Sequence, residues 1–362
     1  MPQSELLQLL ASVHGALSAP APASAPAHEQ RGDVDCSIEP TRLPGVFVVS
    51  STDFFYPLVD DPHTQGRIAC ANVVSDLYAL GLAHIDSLLM LLAASSEMDA
   101  HTRHRATELL MLGFNDAATD AGTRVSGGQT VLNPWPIIGG VASVVCREAD
   151  FIRPIHARPG DVLVLTKPLG TQLAVNAAEW HRKKRLAARA PSFVRRYAAA
   201  PIADDAPVDE SHVSPAAVAA VTALLGRAID GMTRLNRHGA LAMHRHGAHA
   251  ATDVTGFGIL GHARNLALAQ TADVCLRIDR LVVYKDAPLL AQEMPVFRLL
   301  EGYSAETSGG LLVCVPPETA DAFVADMCAN SGPAWRVGEV VACADGAARD
   351  AFFGDAFSVL EV

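Results

Sequence analysis

An alternation constrains this chain more than any other feature. Apolar runs of strand length take turns with segments of helical period through both halves of the sequence. Residues 46–52, rich in β-branched and aromatic side chains, read as a strand with Asp53 at its end. Residues 65–80 carry apolar side chains at helical spacing and stop at Gly81, 85–92 is again strand-like, and 100–121 reads as a helix closed by Gly122. Ser126-Gly127-Gly128-Gln129-Thr130 is expected to be a turn, before a strand over 137–146. After the turn signal Arg158-Pro159-Gly160 come a strand over 161–166, helices near 215–235 and 259–269, strands near 274–278 and 311–315, and a last helix with strands. Such alternation predicts an α/β chain.

The chain has 362 residues, which suggests two domains. We expect an N-terminal segment over 1–32, with a leucine-rich stretch at 4–10 and an Ala/Pro/Ser linker at 18–28, then an N-terminal domain over 33–150 and a C-terminal domain over 151–362. A second Ser-Gly-Gly, at 308–310, again precedes an apolar strand and hints that the two halves are related. The balance of 28 Lys+Arg against 39 Asp+Glu, net −11, argues against a bare nucleic-acid binder. No apolar run approaches the ~20 residues that span a bilayer, and no basic flank with an apolar core marks a secretory signal. Seven scattered cysteines without a Cys-x-x-Cys pair argue against a disulfide framework or a zinc ribbon. A reducing cytoplasmic setting is the expectation.

The chemistry gathers around carboxylates in apolar or glycine-rich surroundings. Asp76 sits inside Val73-Val74-Ser75-Asp76-Leu77-Tyr78, where an unpartnered buried carboxylate costs several kcal/mol, so a cation is expected beside it. Asn72 lies four residues earlier, on the same helix face. Asp253 precedes the glycine-rich entry to a helix, and Asp35 lies in Asp33-Val34-Asp35-Cys36. Several carboxylates beside glycine turns suit Mg²⁺, which takes oxygen ligands and bridges carboxylates to substrate phosphates; a nucleoside triphosphate is the natural partner. Without the metal such a site repels it, since two like charges ~4 Å apart cost about 4 kcal/mol at an effective dielectric near 20. Gly127, Gly128, Gln129 and Thr130 offer backbone amides that phosphate oxygens can approach, although a Gly-Gly pair by itself is most simply a turn. Neither a P-loop nor a dinucleotide Gly-x-Gly-x-x-Gly is present. His244, His246 and His249 lack the companion Cys or Glu pair that a zinc site would want. The basic cluster at 182–197 is followed by Asp204, Asp205, Asp209 and Glu210, and reads as a solvated insertion better than as an RNA contact.

Several strings in order resemble the selenophosphate synthetases (selenide, water dikinases), above all their eukaryotic branch. They are Thr52-Asp53-Phe54-Phe55-Tyr56-Pro57, Gly66-Arg67-Ile68-Ala69-Cys70-Ala71-Asn72-Val73 with Ser75-Asp76-Leu77-Tyr78-Ala79, Gly127-Gly128-Gln129-Thr130-Val131-Leu132-Asn133-Pro134-Trp135, Thr166-Lys167-Pro168-Leu169-Gly170-Thr171-Gln172, Ala250-Ala251-Thr252-Asp253-Val254-Thr255-Gly256-Phe257-Gly258 and Glu306-Thr307-Ser308-Gly309-Gly310. The resemblance runs from about Asp33 to the C-terminus. It implies a two-domain fold like that of aminoimidazole-ribonucleotide synthetase, with an N-terminal domain that binds ATP and forms a homodimer. It further implies Mg²⁺ held by Asp35, Asp53, Asp76 and Asp253, nucleotide contacts from Gly127 to Thr130 with Asp53 and Asn72, and a reaction that turns ATP, selenide and water into selenophosphate, AMP and phosphate for selenoprotein synthesis.

The family also carries a Cys or selenocysteine followed by Gly-x-Gly-Cys-Lys, whose first residue and lysine act in catalysis. A Pro-Gln follows that loop closely, and here Met1-Pro2-Gln3 opens the chain. The catalytic Cys or selenocysteine and Lys are therefore expected upstream of Met1, and the chain as written is expected to be impaired. Two rival readings remain: a non-catalytic nucleotide-binding paralogue acting as a regulator, and a different ATP-dependent synthetase of the same fold. Asn133-Pro134-Trp135 and Lys167-Pro168-Leu169-Gly170 argue against the second.

Overall fold

A computed structural model describes residues 36–187, 215–344 and 346–362, without the side chains of 181–187 and 215–218. The leucine-rich stretch, the Ala/Pro linker, Asp35 and residues 188–214 lie outside the described residues.

The first sheet contains β1 (Ser37–Pro40), β2 (Val46–Phe55), β3 (Ser87–Ser95), β4 (Val125–Asn133) and β5 (Ile137–Arg147), in spatial order β1-β2-β5-β3-β4. Its neighbours run antiparallel except β3 and β4, which are parallel and joined by the helix over Ala100–Asp120, the crossover that parallel pairing demands. Two expectations are corrected here. The Ser-Gly-Gly-Gln-Thr segment is no turn: it lies inside the exposed edge strand β4. The strand begun at Val46 runs to Phe55, so Asp53 lies within it, opposite Gly140.

Residues 65–80 form two helices, α1 (Pro62–Val73) and α2 (Ser75–Ala79), with a break at Val74. Asp61 caps α1, accepting the Thr64 N–H at 2.8 Å, and Pro62 occupies the first turn, where its missing N–H costs nothing. The helix over Ala100–Asp120, α3, crosses α1 in backbone contact: a Cβ at Gly66 or Gly113 would overlap the other helix's main chain. That crossing fixes the path of α1 toward Asn72.

The second sheet holds β6 (Val162–Leu165), β7 (Ala250–Asp253), β8 (Val274–Val283), β9 (Leu311–Val315), β10 (Trp335–Ala342) and β11 (Ala351–Glu361), in order β11-β8-β10-β6-β9-β7. The helices are α4 (Thr171–Ala187), α5 (Pro215–Thr233), α6 (Arg237–Arg245), α7 (Gly258–Ala269), α8 (Ala287–Glu293) and α9 (Ala320–Asn330). The start of the basic cluster at 182–197 thus belongs to the end of α4. Strands β6 and β9 are buried on both faces, which is why they read as unbroken apolar runs. Leu163, Leu165, Leu312 and Cys314 enter a core shared with α4, α5 and α7, whereas Val162, Val164, Leu311 and Val313 meet Met243 of α6 and Phe323 and Met327 of α9. Ile68 of α1 belongs to the larger of these cores, so the first half helps to fill the second, and 35–362 forms one compact unit.

Candidate functional site

The break at Val74 turns Ser75 and Asp76 toward two different partners. Asp76 is buried and accepts the Ser51 hydroxyl of β2 at 2.6 Å. Ser75 donates its own hydroxyl to Asp253, the last residue of β7, at 2.6 Å. Of two neighbouring residues on α2, one is a carboxylate of the first half and the other binds a carboxylate of the second. Asp53 follows Ser51 by two positions, so the alternation of a strand puts both on one face of β2, about 7 Å apart along it. The Ser51 hydroxyl is one donor to Asp76.

A polar network fixes this arrangement. Asn236, between α5 and α6, donates to the Ser75 hydroxyl at 3.0 Å and to the Gly309 carbonyl at 2.8 Å. Both amide protons are thereby used, and the hydroxyl proton of Ser75 is directed to Asp253. Asn72 accepts the Ser308 N–H at 2.7 Å. The Ser308 carbonyl in turn accepts from Lys167 Nζ at 2.8 Å, and the Arg234 carbonyl does so at 2.6 Å. Ser308 adopts φ +46°, in a bend, and a Cβ at Gly309 or Gly310 would overlap the backbone of Val254 or Lys167, so these glycines are required by close backbone approach.

Burial shapes the charges nearby. Lys167 is 2% exposed, and burial holds its amine well below the usual lysine range, helped by the Arg234 charge and opposed by Asp253. Burial pushes Glu306 up to about 7, although its carboxylate accepts the N–H groups of Gly170 (2.7 Å) and Thr171 (2.8 Å) and the Thr171 hydroxyl at the start of α4. His262 is lowered by burial and faces the opposing pull of Asp253.

The glycine segment lies elsewhere on the sheet. Gly128 pairs with Met90, Met90 with Gly140, and Gly140 with Asp53, so Gly128 and Asp53 share one cross-strand row with two strands between them, about 14 Å apart within a chain. At Gly128, φ +147°, a Cβ would overlap the Met90 carbonyl, which gives that glycine a structural reason of its own. The three histidines separate: His244 meets the Gly81 carbonyl, His246 meets Asp326 and His249 meets Asp161. Among the described residues no group of three His, Cys, Asp or Glu side chains is gathered for a metal. Two carboxylates held by neutral donors nonetheless fit Mg²⁺, which is commonly bound by one or two carboxylates, with phosphate oxygens and water completing the shell.

Sequence reasoning missed Ser51 and Asn236, and placed Ser75, Lys167 and Glu306 only in their motifs. Ser75 had a signal, its adjacency to Asp76; Asn236, in Leu235-Asn236-Arg237, had none.

Residues 35–145 match the family described as AIR synthase related protein, N-terminal domain, and 158–350 its C-terminal domain. The chain is 45% identical over 371 residues to "Selenide, water dikinase" of Trypanosoma brucei brucei (strain 927/4 GUTat10.1), spanning 100% of this chain and 86% of that protein. It is 45% identical over 379 residues to the protein of the same name from Leishmania major, spanning 100% and 88%. The solved structure of "AaThiL complexed with AMPPCP and TMP" shares the fold, with a TM-score of 0.62 at 15% identity over 98% of this chain and 95% of that one. With both AIR synthase related domains in place and dikinase relatives matched along its whole length, the chain belongs to the selenide, water dikinase (selenophosphate synthetase) family.

Proposed function

We propose that this protein is an ATP-dependent phosphotransferase that makes selenophosphate from selenide, ATP and water, releasing AMP and phosphate. The observation that carries this reading is the pair of carboxylates, Asp76 and Asp253, drawn from the two halves of the chain, the first on α2 and the second held by the adjacent Ser75. Asp53, one pleat repeat beyond Ser51, extends the acidic surface, and Asp35 is proposed to join it. These four residues would hold Mg²⁺, which would supply positive charge against the phosphate groups. Gly127 to Thr130, all exposed, are proposed to offer backbone N–H groups to the nucleotide, with Asn72 and Asp53 nearby on the carboxylate side. The γ-phosphoryl group passes to selenide, and the remaining ADP is hydrolysed to AMP and phosphate. The chain's own part is positioning: the Ser75, Asn236 and Asn72 hydrogen bonds keep the carboxylates in place with no rearrangement during the reaction.

We propose further that the protein is a homodimer formed through its first sheet. Strand β4 pairs only with β3 among the described strands, and Val131, Leu132 (69% exposed) and Trp135 lie on or beside it, with Phe54 and Tyr56 exposed on β2 and just after it. An apolar edge of this kind is a liability in a monomer, and a closed two-fold pair removes it.

Calorimetric titration of ATP into the protein with and without Mg²⁺ tests the site. Mg²⁺-dependent binding that falls at least tenfold in Asp253→Asn, with the unfolding midpoint retained, is expected. Equal ATP binding by that variant, or binding indifferent to Mg²⁺, would sink the assignment. Light scattering tests the dimer, and a particle of the chain's 38.1 kDa at micromolar concentration contradicts it.

A further inference from the structure

At the end of the second sheet remote from the carboxylates, two thiols face one another. Strands β8 and β10 are antiparallel, with Cys275 opposite Val341 and Val274 opposite Ala342, and the Cys343 N–H continues the ladder onto the Asp273 carbonyl at 2.9 Å. Cys343 is thus the diagonal neighbour of Cys275, two positions along and on the same face. Their sulfurs lie 2.7 Å apart, while the Cys275 sulfur also points to the Ala348 carbonyl at 3.8 Å. Of the other described cysteines, Cys36, Cys70, Cys146 and Cys314 are buried and Cys328 is exposed.

The backbone that carries Cys275 is held on both sides. Strand β8 is flanked on both sides, by β10 and by β11, and the Leu276 N–H bonds the Asp350 carbonyl, so neither cysteine needs to travel to meet the other. Cys275 is buried, whereas Cys343 is partly open to solvent. A reagent therefore reaches Cys343 first and finds Cys275 directly behind it. That order is the one thiol–disulfide exchange requires, since a mixed disulfide on an accessible sulfur is resolved by a neighbouring thiol. Burial, then the contact with Cys275, pushes the Cys343 thiol up to about 11, so exchange is slow at neutral pH and faster in alkali.

We propose that Cys275 and Cys343 form a dithiol site, separate from the carboxylate cluster, that a small-molecule disulfide oxidises to an internal disulfide. The Cys343 thiolate attacks the reagent's S–S bond, forming a mixed disulfide and releasing one thiol. The Cys275 thiolate then attacks the Cys343 sulfur, the second reagent thiol leaves, and the bond between Cys275 and Cys343 closes. Two protein thiols lose two electrons and two protons, and one reagent disulfide becomes two thiols. The cysteines are 68 positions apart, so the bond closes a long loop and restrains the unfolded chain.

The test is to treat the whole protein with oxidised glutathione at pH 8.5, quench with acid, alkylate in denaturant and map peptides by mass spectrometry. A cross-linked peptide joining Cys275 to Cys343 is expected, together with a raised unfolding midpoint that dithiothreitol reverses. Cys328 is expected to carry only glutathione or the alkyl label. In Cys343→Ser the cross-link disappears and the midpoint no longer responds to oxidant. Phenylarsine oxide, which needs two close thiols, is expected to bind the reduced protein and block the cross-link. Stable glutathione adducts on Cys343 without closure, or cross-links scattered among other cysteines of the folded protein, would overturn the proposal.

Discussion

Replacing Lys167 with methionine removes a donor from the centre of the site while nearly preserving side-chain volume. The buried amine serves the Arg234 and Ser308 carbonyls at 2.6 and 2.8 Å, and the Ser308 bend is the one that grips Asn72. Leaving a buried acceptor unpaired costs about 1–3 kcal/mol, so two such losses come to about 2–6 kcal/mol of stability at pH 10. That deficit must shrink as the pH falls. The lysine pKa is depressed in the folded state, so the unfolded chain takes up a proton that the native chain does not, and wild-type stability declines from the unfolded lysine range downward toward the depressed folded value. The decline is about 1.4 kcal/mol per pH unit for one proton, and Lys167→Met lacks it. Urea unfolding of both proteins at pH 7, 8, 9 and 10 measures the difference directly. A gap that stays constant from pH 9 to pH 7 would refute the picture of a buried amine with a depressed pKa.

Glu306→Gln probes the opposite sign: Glu306 is raised to about 7, so its contribution is complete below about pH 4.5 and is lost as the pH rises through 7. Wild type should lose on the order of 3 kcal/mol relative to the glutamine variant across that window, read from denaturant unfolding at pH 4.5 and 7.5. Asp61→Ala removes the acceptor for the Thr64 N–H at the start of α1 and should cost about 1 kcal/mol by the same assay, with Asp61→Asn recovering most of it.

The sequence made the strands legible wherever burial on both faces wrote itself as an unbroken apolar run, as in β6 and β9. It misread Gly127-Gly128 because a glycine demanded by a close approach to the Met90 carbonyl looks, in one dimension, like a glycine demanded by a turn. Asp76 stood out because a charge inside an apolar string is costly and needs a reason, and Asp253 because it precedes a glycine-rich entry to a helix. Their supports did not stand out, since Ser75 reaches Asp253 across 178 positions, Asn236 reaches Ser75 across 161 and Ser308 reaches Asn72 across 236. No local periodicity encodes such pairings. The break at Val74, which aims Ser75 and Asp76 at different partners, was likewise hidden within an apolar stretch that suits one continuous helix.

The reading as a dikinase is tested most directly by following the phosphorus of ATP in the presence of selenide, by ³¹P NMR under anaerobic conditions. The protein is assayed with and without selenide, beside its Asp253→Asn variant. The account predicts that the protein converts each ATP to one selenophosphate, one AMP and one phosphate, that no AMP forms without selenide, and that Asp253→Asn abolishes all three products. Accumulation of ADP as the end product, or AMP formation indifferent to selenide, would contradict it.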